Sequence, residues 1–193
     1  MRSARSGGPM STLFRTTGRI RSGYDPAQVD EFFDRARQVY EGKGSAEPLT
    51  ARDVRLTAFD LVRGGYATGP VDAAMDRLER AFVTRQRTDY VTAHGQQAWM
   101  DHLAAQARTL YGRLTRPDGE RFAPAGRRQQ GYLPADVDAL CHRLVDYFDN
   151  GASLTSDEIR AVTFRRARGA KAYGEPAVDA FCDRAVEVLL GVE

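Results

Sequence analysis

Cysteine, histidine, tryptophan and lysine are all scarce in this chain: two, three, one and two residues respectively in 193, the lysines being Lys43 and Lys171. Two cysteines make no disulfide framework. His94, His102 and His142 have no cysteine or carboxylate at metal-ligand spacing, so no metal site is read. A phosphate-binding glycine loop, a nucleophile elbow and a His-Glu zinc signature are missing as well, which removes the commonest enzymatic readings and leaves no cofactor to expect. No apolar run approaches the roughly 18 residues that span a bilayer. The first ten residues are basic, contain Gly and Pro, and lack the apolar core of a signal peptide, so a cytoplasmic protein is expected. The net charge of +2 is too small to demand an anionic partner. What remains, 42% apolar and 28% charged residues, is ordinary for a folded chain.

What is present is a motif written four times. A Tyr is followed five residues later by Val-Asp, with an Arg six positions after the Val: Tyr24, Val29, Asp30, Arg35; Tyr66, Val71, Asp72, Arg77; Tyr132, Val137, Asp138, Arg143; and Tyr173, Val178, Asp179, Arg184. Four residue types holding fixed offsets in four places mark an internal repeat. Apolar side chains follow at offsets 0, +3, +4, +7, +10 and +11 from the Val, for example Val29, Phe32, Phe33, Ala36, Val39 and Tyr40, or Val137, Leu140, Cys141, Leu144, Tyr147 and Phe148. That spacing lines one face of an α-helix. Pro26, Pro70, Pro134 and Pro176 stand just ahead of the stripes, where a fixed φ suits a first helical turn. Asp25 is placed to cap the first helix, with Gln28 positioned to return the bond as a capping box. Each repeated Asp falls in the positive first turn of its helix, a structural rather than catalytic reading.

The motifs group in pairs. Leu49-Thr50 with Asp53 leads into the second motif and Leu154-Thr155 with Glu158 into the fourth. Thr followed by an acid three residues on predicts short helices over 51–60 and 156–165. The first and third motifs begin instead at Phe14 and Phe122, ten residues before their Tyr. The expected organisation is a disordered extension over 1–10, with Met10 an alternative start, a first half over 11–87, a connecting helix over 88–116 bearing Val91, Trp99, Leu103, Leu110 and Leu114, and a second half over 117–193. The expected fold is all-α: a tandem repeat of short helix, Arg/Gly-rich loop and longer amphipathic helix, in two pseudo-equivalent halves joined by a middle helix. Motif helices one and two should pack together, and three and four likewise, because three-turn helices are marginal alone.

Cys141 and Cys182 share stripe offset +4 and read as small buried hydrophobes. His142 adjoins Cys141, yet neighbouring helical residues project about 100° apart, a poor nucleophile and base pair. The segments before each Tyr are rich in Arg and Gly, with Arg15, Arg19, Arg21, Arg63, Arg127, Arg128, Arg165, Arg166, Arg168 and Lys171, and of these Arg19, Arg21, Arg63, Arg127, Arg128, Arg168 and Lys171 are the candidate contact residues. Their bland reading is a solvated turn; the sharper one is contact with anionic lipid or an acidic partner, each Arg contributing on the order of 1 kcal/mol near such a surface.

Leu-Thr, an acid before Val or Ile, a Phe, an Arg/Gly-rich turn and then Gly-Tyr before Val-Asp resembles the N-terminal domain of DivIVA, the bacterial polar and septal scaffold. The likeness is clearest in Gly23-Tyr24-Asp25-Pro26 with Val29-Asp30-Glu31-Phe32-Phe33, and in Leu49 through Arg77. All four motifs, about two-thirds of the chain, look like the actinobacterial proteins that carry several such domains in one polypeptide. The resemblance implies short helix, crossed loop and long helix in each unit, with units paired side by side, here within one chain. It implies a non-enzymatic scaffold or adaptor in cell division, polar growth or envelope organisation, found at the membrane, pole or septum. It also implies membrane contact through an apolar residue beside an Arg. Ile20-Arg21 and Val62-Arg63 match that pair; the third copy has Arg127-Arg128 and the fourth Arg168-Gly169-Ala170-Lys171, without a bulky apolar residue. Partners would be division or polar-growth proteins, anionic lipid, or a second copy. The alternative is a peripheral membrane or nucleic-acid binding module using the Arg-rich loops, nucleic acid being the less expected partner.

Overall fold

The computed structural model describes residues 13–42 and 48–193, so the extension expected over 1–10 and its alternative start at Met10 lie outside the described residues. The chain is mostly helical and divides into two compact units, Met1–Arg85 and Gln86–Glu193.

In the first unit, strand β1 (Ser22–Tyr24) leads into helix α1 (Pro26–Tyr40), a short helix α2 (Ala51–Leu56), strand β2 (Leu61–Arg63) and the start of helix α3 (Thr68–His94). Pro26 occupies the first turn of α1, and the Asp25 carboxylate accepts from the Ala27 N–H at 2.8 Å. Gln28 does not complete a capping box. Its amide instead clasps Asp60, donating to the carboxylate and accepting from the backbone N–H, both at 2.8 Å. At α2 the capping box is complete: Thr50 Oγ1 accepts from the Asp53 N–H and the Asp53 carboxylate accepts from the Thr50 N–H. Contrary to expectation α2 stops at Leu56, well short of residue 60. Thr57 is extended, and the chain turns so that Phe59 packs edge-on against Tyr24 and Phe32. Val29, Tyr66 and Val71 form the buried centre, with Phe14, Phe33 and Met75 around it.

The second unit holds helix α4 (Gln96–Leu114), strand β3 (Gln130–Tyr132), helix α5 (Pro134–Asn150), helix α6 (Ser156–Ala161), strand β4 (Arg166–Arg168), a 3₁₀ turn at Gly169–Lys171 and helix α7 (Glu175–Val192). Thr155 and Glu158 make the second capping box, and α6 ends at Ala161 instead of 165, freeing Phe164 to pack on Tyr132. The stripes of α5 and α7 are buried at Val137, Leu144, Val178, Ala185 and Leu189. Cys141 is fully buried, whereas Cys182 is only partly so; both are free thiols. Burial pushes each thiol up to about 12, which keeps the nucleophilic thiolate unpopulated near neutral pH.

Two corrections to the expected layout follow from local chemistry. The all-α reading misses two antiparallel two-stranded ribbons, β1 with β2 and β3 with β4, which stand where Arg/Gly-rich loops were expected. The middle helix over 88–116 is two pieces, because α3 runs unbroken past its stripe to His94 and the chain restarts at Gln96. Between them Gly95 adopts φ +89°, a conformation that L side chains rarely take and that ends a helix. Trp99 lies in α4, where its indole N–H donates to the Gly191 carbonyl at 3.2 Å, so α4 is built into the second unit's core.

Candidate functional site

The repeated residues meet across the ribbons. In the first unit Tyr24 and Tyr66 exchange both backbone hydrogen bonds, N–H to carbonyl at 2.9 and 2.8 Å. Each then sends its hydroxyl to the other motif's aspartate: Tyr66 to Asp30 at 3.0 Å, and Tyr24 to Asp72. The second unit does the same. Tyr132 and Tyr173 exchange backbone bonds at 3.0 and 2.9 Å, Tyr132 donates to Asp179 at 2.9 Å, and Tyr173 donates to Asp138 at 3.1 Å. Burial raises all four phenols, with the facing aspartate adding to it at each; Tyr132 and Tyr173 reach about 12. The repeated Asp is therefore a reciprocal acceptor, a role beyond the helix-start preference read from sequence.

This crossing needs glycine. A Cβ on Gly23 would stand 2.2 Å from the Tyr66 carbonyl oxygen, and one on Gly131 would stand 2.1 Å from that of Tyr173. No side chain fits there, so the two backbones can approach closely only through glycine.

Beyond the crossed tyrosines each ribbon ends in a basic tip. In the first unit a turn closed by Arg21 N–H to Gly18 carbonyl, 3.0 Å, presents Arg19 and Ile20; the second arm joins through Gly64 N–H to Arg21 carbonyl, also 3.0 Å. Ile20 is 93% exposed, far more than any other large apolar residue among those described. Arg19, Arg21 and Arg63 are exposed around it, with no acidic partner among the described residues. Val62, paired with Gly23 in the ribbon, is only half-exposed, and the more exposed apolar neighbour is Leu61, which sequence reasoning did not single out. Its signal is the alternation along β2, visible once the strand is known.

The second unit repeats the tip with different residues. Gln129 N–H closes the turn on the Gly126 carbonyl at 2.7 Å, and Gly169 N–H joins it through the Gln129 carbonyl at 3.0 Å. Arg127 and Arg128 take the places of Arg19 and Ile20. Ribbon pairing sets Gly131 opposite Ala167, so Ala167-Arg168 corresponds to Val62-Arg63, two residues earlier than spacing from the motif Tyr would place it within the Arg168-Gly169-Ala170-Lys171 stretch. Arg127, Arg128, Arg168 and Lys171 are all exposed. Arg165 and Arg166 belong elsewhere: Arg165 pairs with Asp136 at 2.6 Å, holding that carboxyl below its ordinary range, and Arg166 pairs with Glu175.

The motif arginines lie away from the tips on the helices, Arg143 for instance pairing with Glu158 at 2.7 Å. Among the described residues no His, Cys, Asp and Glu group is arranged to hold a metal ion, and no helix is long and apolar enough to cross a membrane. Comparison with protein-family models, with curated proteins and with solved structures finds no match. Each tip thus presents clustered guanidinium groups on a hydrogen-bonded ribbon, with no acid partner among the described residues.

Proposed function

We propose that this chain is a non-enzymatic scaffold or adaptor of the DivIVA type, built from two tandem-duplicated crossed units, that docks on anionic membrane from the cytoplasmic side through the first unit's ribbon tip. The observation that carries the reading is Ile20, almost wholly exposed on a turn that also bears exposed Arg19 and Arg21, with exposed Arg63 on the paired arm. An apolar side chain held in water at the end of a rigid ribbon gains about 1.5 to 3 kcal/mol when buried in an acyl boundary. Three arginines add on the order of 1 kcal/mol each at an anionic surface. The sum supports weak, reversible attachment, which suits an adaptor recruited to a pole, septum or growth zone. The second tip carries cations alone and would add a salt-sensitive contribution.

Sedimentation with neutral and anionic vesicles at low and high salt tests the lipid arm. Binding to anionic vesicles that falls with salt and weakens further in Ile20→Ser is the expected result. Equal binding of Ile20→Ser to DNA and to vesicles would favour the alternative polyanion-binding module, since an apolar side chain adds nothing to phosphate contacts. A fluorescent fusion that stays diffuse in dividing cells would remove the division and polar-growth assignment.

A further inference from the structure

The first unit has an open groove of about 400 Å³ between α1 and α3, floored by Phe14, Phe33, Ala36, Tyr40, Leu78 and Ala81. Motif offsets identify the corresponding places in the second unit: Phe122 for Phe14, Cys141 for Phe33, Leu144 for Ala36, Phe148 for Tyr40, Ala185 for Leu78 and Val188 for Ala81. There the face is covered by α4. The Arg113 guanidinium lies 5.2 Å over the Phe122 ring, Tyr111 packs on Phe148 with centroids 5.7 Å apart, and Leu103 and Trp99 reach Gly191 on α7. Leu144, Cys141 and Ala185 are in consequence fully buried. The molecule thus contains its own example of what fits this face: an amphipathic helix with apolar residues at the offsets of Trp99, Leu103, Leu110 and Leu114, that is 0, +4, +11 and +15.

The charge differs between the two faces. At offset +8 the second unit has Val145 and the first has Arg37, which lines the groove without an ion pair among the described residues. At offset +6 Arg184 is paired with Glu187 at 2.9 Å, whereas its counterpart Arg77 has an arginine, Arg80, at the sequence position of that glutamate. Helical register places Arg77 on the Ala81 side of α3. A second copy docking two-fold on this groove would set Arg37 and Arg77 against themselves, an unfavourable like-charge contact. Residues 1–12 carry Arg2 and Arg5, no acid, and a Gly-Gly-Pro run, so their sequence offers neither the stripe nor the complementary charge.

We infer that the α1/α3 groove of the first unit is a docking site for an acidic amphipathic helix of a partner protein, seated as α4 is seated in the second unit. The inference names a partner surface for the adaptor reading, on a face separate from the ribbon tip. The test uses the full chain and two labelled synthetic peptides: residues 96–114 as they stand, and the same peptide with Arg108→Glu and Arg113→Glu. The acidic peptide should bind roughly tenfold more tightly than the basic one, protecting residues 33–40 and 78–85 from hydrogen exchange. Arg37→Glu, a change at an exposed position that leaves the circular dichroism unaltered, should reverse the preference. Absence of binding by either peptide, protection confined to α5 and α7, a preference indifferent to Arg37→Glu, or protection of 33–40 by self-association without peptide would each overturn the inference. Vesicle binding measured on the same preparation reads the ribbon tip independently, so loss of one activity leaves the other standing.

Discussion

The two units share the residues that make the crossing and differ in how the core around it is closed. Val29, Val71, Val137, Val178 and Tyr66 are all fully buried, and Tyr173 nearly so. The position before the leading Phe, by contrast, is Leu13 in the first unit, 44% exposed, and Arg121 in the second, 4% exposed and paired with Asp138 at 3.0 Å. Both residues donate a backbone N–H to the motif Tyr hydroxyl. What repeats, then, is the set of groups whose removal would open the ribbon; what varies is how far the core is closed around them. The second unit closes it with α4 and the buried Arg121–Asp138 pair; the first has a buried Arg55–Glu79 pair of its own, yet leaves the core open on one side.

The largest expected difference is at the matched stripe positions. Leu144→Asp places a carboxylate where nothing can solvate or pair it, and should cost more than about 4 kcal/mol, enough to unfold the second unit. Phe33→Asp, at a half-buried site beside the open groove, should cost about 1 to 3 kcal/mol because the carboxylate can turn to water. Urea melts followed by Trp99 fluorescence for the second unit and far-ultraviolet circular dichroism for the whole chain would measure both. Equal costs would mean the two cores are closed to the same extent.

The next effect separates the ribbon arms. Gly65→Ala drives a Cβ to 2.4 Å from the Tyr24 carbonyl oxygen, and should destabilise by about 1 to 3 kcal/mol through forced backbone shifts. Its counterpart before Tyr173 is already Ala172, accommodated where the arm carries two more residues and a 3₁₀ turn at Gly169–Lys171. Ala172→Gly should accordingly cost no more than about 1 kcal/mol, the entropy of a freer backbone. A thermal melt in which both variants lose equally would show that the turn does not relieve the crossing.

How much of this was legible in the residues depends on whether a neighbour in sequence or a neighbour in space decides it. The long helices, their proline starts and the two Thr capping boxes were readable because each rests on residues within a few positions. The strands were not: three-residue segments such as Leu61-Val62-Arg63 hold no periodicity, and only pairing with Ser22–Tyr24 makes them a ribbon. Gln28 looked like a capping-box residue until Asp60, distant in sequence, supplied a better partner. The crossed Tyr and Asp bonds could have been suspected, since four identical Tyr-to-Asp offsets invite the question of where each hydroxyl goes. The arginines of the tips are legible from Arg and Gly content, and Ile20 and Val62 from the resemblance, yet that Ile20 stands almost wholly exposed while Val62 does not required the fold.

The hydroxyl bonds themselves give a finer comparison. Tyr173→Phe removes a donor to buried Asp138 and the acceptor for the buried Arg121 N–H, and should cost about 1 to 3 kcal/mol. Tyr66→Phe should cost less, about 1 kcal/mol, because the two partners its hydroxyl leaves behind, Asp30 and the Leu13 N–H, are only partly buried and can turn to water. Alkaline pH probes the same groups. A phenol whose folded pKa is raised contributes stability that is complete below its unfolded value near 10 and is lost as pH rises through the folded value. For Tyr132 and Tyr173 the window is therefore pH 10 to about 12. Absorbance titration should show these two ionising late and together with loss of Trp99 burial; ionisation near 10 with Trp99 still buried would contradict the crossed bonds.

The smallest change in stability belongs to the tips, and it sharpens the contrast most. Ile20→Arg and Arg128→Ile exchange the residues that distinguish the two turns, at exposed positions whose side chains touch no core. Each should leave the melting curve within about 0.5 kcal/mol of the parent. Vesicle binding should nevertheless move in opposite directions, falling in Ile20→Arg as the apolar anchor is lost and rising in Arg128→Ile as the second tip acquires one. If both variants bound anionic vesicles like the parent, charge alone would be sufficient. The second tip would then be the equal of the first, and the apolar residue at the end of the first ribbon would have no part in attachment.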